Sequence, residues 1–154
     1  MTSHFDIVVF SHLRWNWVYQ RPQHLLTRLA HDHRVWYVEE PIGADTDNPW
    51  LEVESVAPNV SVVRPHLRAT YPFFIVDQVP PLTRLLKQLL SEHSIGPLAL
   101  WLYTPMALPV AQVSNPQAVA YDCMDELSAF RFAPPELLER EKQLLQWADV
   151  VFTG

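Results

Sequence analysis

Short apolar runs alternate along this chain with longer stretches whose leucines recur every three or four positions. That alternation admits few folds, chiefly βαβ units laid into a parallel sheet with helices on its faces. Phe5 to Phe10 (FDIVVF) is nearly continuous and rich in β-branched residues, as a strand buried on both faces must be. Pro22 suits the first turn of a helix, where a missing N–H costs nothing. Leu25, Leu26, Leu29 and Ala30 then share one face. Arg34 to Val38 (RVWYV) is a second strand, stopped by Pro41. Residues 42–50 read as a loop, followed by two weaker strands, Leu51 to Val56 and Val60 to Val63, about the turn-like Pro58-Asn59. Pro80 and Pro81 open a helix whose buried side carries Leu82, Leu85, Leu86, Leu89 and Leu90, and Gly96-Pro97 ends that segment. Leu98 to Tyr103 (LALWLY) and Ala118 to Asp122 (AVAYD) are buried strands, with a short helix from Pro105 to Gln112 between them. Pro134 and Pro135 introduce a fourth helix with Leu137, Leu138, Leu144, Leu145 and Ala148 inward, and Asp149 to Thr153 (DVVFT) is a last strand. The expected fold is α/β: one doubly wound, mostly parallel, Rossmann-like sheet over residues 1–154.

Composition narrows the function classes. Apolar residues make up 49% of the chain and charged ones 18%, which excludes the low-hydrophobicity, high-charge balance of a disordered segment. No apolar run reaches the roughly 20 residues of a membrane span. Met1 to Phe5 lacks the basic-then-apolar order of a leader, and Cys123 is the single cysteine, so a reduced, cytoplasmic setting is expected. The formal charge of −6 runs against nucleic-acid binding. Acids concentrate around Glu39 to Glu54 and Asp122 to Glu141, whereas the first thirty residues set Arg14, Arg21 and Arg28 against Asp6 alone. An anionic ligand is therefore expected at the early segment. A strand that closes the chain at Gly154 has no crossover helix after it, which reads as one half of a larger protein.

In open parallel sheets ligands bind beyond the carboxyl ends of the strands, where strand order reverses. Three segments fall at such ends: Ser11 to Arg21, Tyr103 to Met106 and Asp122 to Arg131. In the first (SHLRWNWVYQRPQHL), His12 emerges at the lip of the sheet, and Arg14, Trp15, Asn16, Trp17 and Tyr19 line the approach. Aromatic faces stack on sugar rings and bases, Arg and Asn give directional hydrogen bonds, and free N–H groups at the helix start near Pro22 can receive an anion beside Arg21 and His24. The plain alternative is that Trp15 and Trp17 pack a long loop and His12 is a hydrogen-bonded surface histidine. This segment has no glycine, so neither the G-x-G-x-x-G turn of a nicotinamide or flavin site nor a P-loop is present, and no cofactor is expected. In the third segment Asp122, Asp125 and Glu126 form the densest acids. A partly desolvated carboxylate there can act as a general base toward an acceptor hydroxyl, or simply cap the next helix. His31-Asp32-His33 sits at a helix end, where histidine suits the dipole, and no third ligand has metal spacing. Cys123 has no evident activating base. The aromatic run 71–76 (YPFFIV) is a candidate for contact with a membrane or a second domain.

Two stretches together carry a resemblance. FSHLRWNWVYQRPQHLLTRLA followed by RVWYVEEP is similar to the opening of bacterial glycosyltransferases of the GT-B fold, and YDCMDELSAF with ADVVFTG resembles the end of their first domain. The group resembled is the family-1/family-4-like transferases, including teichuronic-acid-type enzymes and forms fused to, or labelled with, UDP-galactopyranose mutase. The resemblance covers essentially the whole chain. It implies the acceptor-binding, amino-terminal half of an enzyme with two facing Rossmann-like domains, taking a nucleotide-sugar donor and a cell-envelope glycan or glycolipid acceptor without an obligatory metal. The donor-binding domain would lie outside this chain, and this half alone would be inactive. Carried onto the sequence, the acceptor-side residues are His12, Arg14, Trp15, Arg21 and Gln23, with His24 beside them and Asp122, Asp125 and Glu126 behind them as catalytic candidates. Such an enzyme would work in the cytoplasm, with peripheral contact at the inner face of the plasma membrane. A non-catalytic flavodoxin-like binding module, or part of a bifunctional mutase–transferase, remains open as an alternative.

Overall fold

The computed structural model describes residues 4–68, 76–129, 131 and 133–154. Its strands are β1 (Asp6–Ser11), β2 (Val35–Glu39), β3 (Ile42–Gly43), β4 (Trp50–Ala57), β5 (Val60–Leu67), β6 (Leu98–Leu102), β7 (Ala118–Cys123) and β8 (Val150–Thr153). Its helices are α1 (Arg21–Leu29), α2 (Val79–Glu92), α3 (Leu108–Ala111) and α4 (Leu137–Trp147). All eight strands join one sheet, in which β1 is central and pairs in parallel with β2 on one side and β6 on the other. β7 and β8 extend the sheet beyond β6, and β5 extends it beyond β2. β4 alone runs antiparallel, as a hairpin on β5, with Asn59 in the left-handed region at φ 59° in the connecting turn. The doubly wound, mostly parallel sheet expected from the apolar runs is the fold observed.

Each face of the sheet has its own core. Val8, Phe10, Trp36, Val38, Leu100, Leu102 and Tyr121 meet Leu82, Leu86 and Leu89 of α2 and Leu137 and Leu144 of α4. Ile7, Val9, Val35, Tyr37, Val60 and Val62 meet Leu26 of α1 and Ala30, which caps that helix, on the other face. The period of two along β1 thus divides its residues between two layers, which is why its sequence is apolar throughout. Asp6 and Ser11, at its two ends, are the buried polar exceptions, and Arg34 grips Asp6 with Nε and Nη2 at 2.7 Å each.

The fourth helix departs from expectation. Leu138 and Leu145 are 63% and 50% exposed, while Leu137, Arg140 and Leu144 turn inward. Apolar residues surround this helix, so spacing alone offers two buried faces. The chosen face lets the Arg140 guanidinium donate to the Met106 carbonyl at 2.8 Å, a hydrogen bond that needs a buried partner. The short helix after Tyr103 is broken into turns, with α3 itself only Leu108–Ala111. Residues 71–75 of the aromatic run lie outside the described residues. Among the described residues no helix is long and apolar enough to cross a membrane.

Candidate functional site

Strand order reverses at β1. From β1 the chain winds through α1 to β2 on one side, then returns through α2 to β6 on the other. The crevice beyond the carboxyl ends of β1 and β6 is therefore the topological switch point. His12 follows β1 directly, and Tyr103-Thr104 follows β6.

The loop after β1 is a built structure. Gln23 is 2% exposed, and both ends of its amide are engaged. Its Nε2 donates to the carbonyls of Trp15 at 2.9 Å and Val18 at 3.1 Å, and its Oε1 accepts from the Gln20 N–H at 2.9 Å. The last contact also satisfies a free donor at the start of α1. Tyr37 on β2 donates its hydroxyl to the Leu13 carbonyl at 2.9 Å and meets the Trp15 ring edge-on at 5.1 Å. Gln23 and Trp15, read from sequence as ligand-facing, lie here as supports of the loop.

Glu39, at the end of β2, ties the loop to the sheet. Its Oε1 accepts from the Trp15 N–H at 2.8 Å, and its Oε2 accepts from Arg14 Nη1 at 3.0 Å and Arg64 Nε at 3.1 Å. Arg64, on β5, also reaches Glu54 at 2.6 Å and Glu52 at 3.3 Å. The carboxylate is fully buried, so its charge is tolerable only because two guanidiniums and an amide surround it. Glu39→Ala should lower unfolding free energy by about 3 kcal/mol in urea titration, the low end of the range for breaking a buried pair, since Arg64 keeps two carboxylates. A loss within 1 kcal/mol of zero, on the order of a surface substitution, would show that the knot is dispensable.

Asp122 and Asp125 part company at the end of β7. Asp122 is wholly buried, with Oδ1 2.9 Å from Arg21 Nη2. Burial raises its carboxyl above the usual range while Arg21 opposes the shift. The Tyr103 hydroxyl and Trp101 indole N–H lie beside it, short of full hydrogen-bond geometry. Asp125 is instead 38% exposed in its side chain and sits with Oδ2 3.5 Å from His12 Nε2. Burial lowers the His12 pKa, and Asp125 and the Tyr103 backbone pull it back up. Glu126 is exposed, as is His24, whose ring meets Tyr19 edge-on at 4.4 Å. Arg21, His24 and Arg28 form one wall of a hollow of about 390 Å³ beside α1. Trp101, stacked with Phe152 at 5.4 Å, forms its floor. No cluster among the described residues offers three metal-binding side chains.

Of the sequence candidates, His12 and Asp125 are brought together, as are Arg21 and Asp122. Glu39, Glu40, Tyr37, Arg64 and Tyr103 also belong to this rim. The signal for the first two is their place as adjacent acids where a strand ends.

No known protein-family pattern matches the sequence, and no curated protein sequence matches it significantly. Solved structures do match in shape. One is the trehalose-6-phosphate protein from E. coli bound with UDP-2-fluoro glucose, at TM-score 0.54 and 13% identity over 95% of this chain and 39% of that one. A second is an α,α-trehalose-phosphate synthase (UDP-forming) from Burkholderia xenovorans in complex with glucose-6-phosphate, at TM-score 0.53 and 13% identity over 94% of this chain and 39% of that one. The likeness is one of fold. It agrees with the Rossmann-like fold expected from the sequence, and the chain spans about two fifths of the length of these proteins.

Proposed function

We propose that this chain is the acceptor-side half of a sugar-nucleotide-dependent glycosyltransferase. The observation that carries the reading is the His12–Asp125 pair, 3.5 Å apart at the switch point of the sheet. A histidine of lowered pKa is neutral near pH 7 and able to accept a proton. In the proposed step an acceptor hydroxyl takes the place of Asp125 Oδ2 beside the ring. Its proton passes to Nε2 as its oxygen bonds to the anomeric carbon, and the bond to the nucleotide diphosphate breaks with the electron pair on the leaving phosphate. Asp125 then pairs with the imidazolium. Asp122 is too enclosed for the same task and holds Arg21 at the mouth, where a phosphate or sugar hydroxyl of the acceptor would meet it. The UDP-2-fluoro glucose and glucose-6-phosphate named with the similar structures support this ligand class.

The ordered motifs after the first strand and around residues 121–130 further support a cell-envelope glycan or glycolipid acceptor, in the manner of the teichuronic-acid-type enzymes. Donor binding is assigned to a second domain of the whole protein. The test is transfer by the full-length protein from a panel of UDP-, GDP- and TDP-sugars. Release of nucleotide diphosphate with a sugar acceptor is the expected result, and no turnover of any donor would sink the proposal. A fused flavin mutase would show itself as flavin absorbance in the intact protein. One observation favours a binding-only module instead: neither ring nitrogen of His12 is exposed. Ligand binding without turnover in the full-length protein would select that reading.

A further inference from the structure

The α1 side of the sheet is covered unevenly. Leu26 seats α1 over β1, β2 and β5, while Trp101 on β6 and Phe152 on β8 remain partly exposed. The hollow between those rings and α1, about 390 Å³, falls within the range of about 300–1,000 Å³ typical of small-molecule sites. Arg21, Leu25 and Arg28 stand at i, i+4 and i+7 on one face of the helix, and all three line the hollow.

The lining carries a surplus positive charge. Among the described residues Asp122 is the only acid in it, wholly buried and matched by Arg21 at 2.9 Å. Arg28 is left over: it donates to the His24 carbonyl at 2.6 Å and has no carboxylate partner among the described residues. The exposed His24 ring lines the same wall. An anion is therefore favoured there. The floor selects what the anion is attached to. Trp101 and Phe152 lie nearly parallel, at 15°, with ring centroids 5.4 Å apart, and such faces take a flat ring by stacking. A sugar is the weaker fit, because the floor's polar atoms, Trp101 Nε1 and both Asp122 carboxylate oxygens, are buried and would leave its hydroxyls unpaired. A hydrocarbon chain is weaker too, since it gives up rotamer freedom that a rigid ring does not have.

We propose that this hollow is a nucleoside-phosphate site, in which the base lies on the Trp101–Phe152 floor and the phosphate meets Arg28 beside His24. Of its lining, only Arg21 and Asp122 enter the transfer reading, and the site stands independently of chemistry at His12.

The experiment is isothermal titration of the chain with UMP and AMP. Both should bind. Uridine and adenosine lack the phosphate, and glucose 6-phosphate and octyl phosphate lack the ring, so each should bind at least roughly tenfold more weakly. Arg28→Ala should weaken UMP binding roughly tenfold by loss of a charge-assisted contact. Phe152→Leu keeps an apolar side chain without the flat face and should weaken it at least roughly fivefold. Arg84→Ala, which removes an exposed cation from α2 on the other side of the sheet, should leave it unchanged. Circular dichroism checks that each variant is folded. No binding of either nucleotide, equal binding of any of the four comparison compounds, unchanged affinity in Arg28→Ala or Phe152→Leu, or an equal loss in Arg84→Ala would each overturn the site. Failure of the full-length protein to transfer sugar would leave it in place.

Discussion

His12→Asn in the full-length protein should lower kcat/KM for sugar transfer roughly 10²- to 10⁴-fold, the span covered by one general base. Asparagine keeps a polar side chain of similar reach but has no basic nitrogen. The pH profile separates a base from a support. His12 must be neutral to act, and burial lowers its pKa, so kcat/KM should rise with pH along an acid limb below about 6.5, the ordinary histidine value. The Asp125 carboxylate raises the His12 pKa. Asp125→Asn should therefore move that limb to lower pH as well as lower the rate. A histidine that only packs the loop would lose rate without moving the limb. Unchanged kcat/KM in His12→Asn would remove His12 from the chemistry.

The pairing behind this prediction shows where sequence reading stops. His12 was visible as a candidate because it directly follows an unmistakable buried strand, and Asp125 because it lies just past another. That they meet depends on strand order: β1 and β7 both flank β6, so their carboxyl ends open on one crevice. No local pattern encodes that order. Asp122 and Asp125 looked alike in sequence, and the pleat separates them. Asp122 is still part of β7, on a face that meets Arg21, whereas Asp125 lies beyond the strand in the loop. The strands themselves were legible because a doubly covered parallel strand must be apolar at every position. The fourth helix was less so, because its leucines crowd two faces and a buried arginine decided between them.

Glu39 and Glu40 are the further case, two neighbouring acids that β2 sends to different surroundings. Glu39 is held by Arg14, Arg64 and the Trp15 amide. Glu40 is 7% exposed, and its Oε1 has no partner among the described residues. Arg14 donates to the Glu40 backbone carbonyl at 2.7 Å rather than to its carboxylate. Burial accordingly pushes the Glu40 carboxyl up to about 8, with Arg14 opposing. Below pH 4.5, roughly the carboxyl value in the unfolded chain, both states hold the proton and folding has no charge to bury. Between that pH and about 8 the folded protein keeps the proton while the unfolded chain has released it, so unfolding releases a proton and rising pH favours it. The stability associated with a neutral Glu40 is thus fully present at low pH and is lost by about pH 8, a change on the order of 4 kcal/mol. Glu40→Gln imitates the protonated side chain and cannot ionise. In urea unfolding it should match the unaltered protein near pH 4.5 to within about 1 kcal/mol and exceed it by on the order of 4 kcal/mol near pH 9. His12 titrates with the opposite sign, yet it is common to both proteins and cancels in their difference. Parallel stability profiles for the two proteins from acid to alkaline pH would mean that Glu40 is ionised in the fold, with a compensating charge at its side chain.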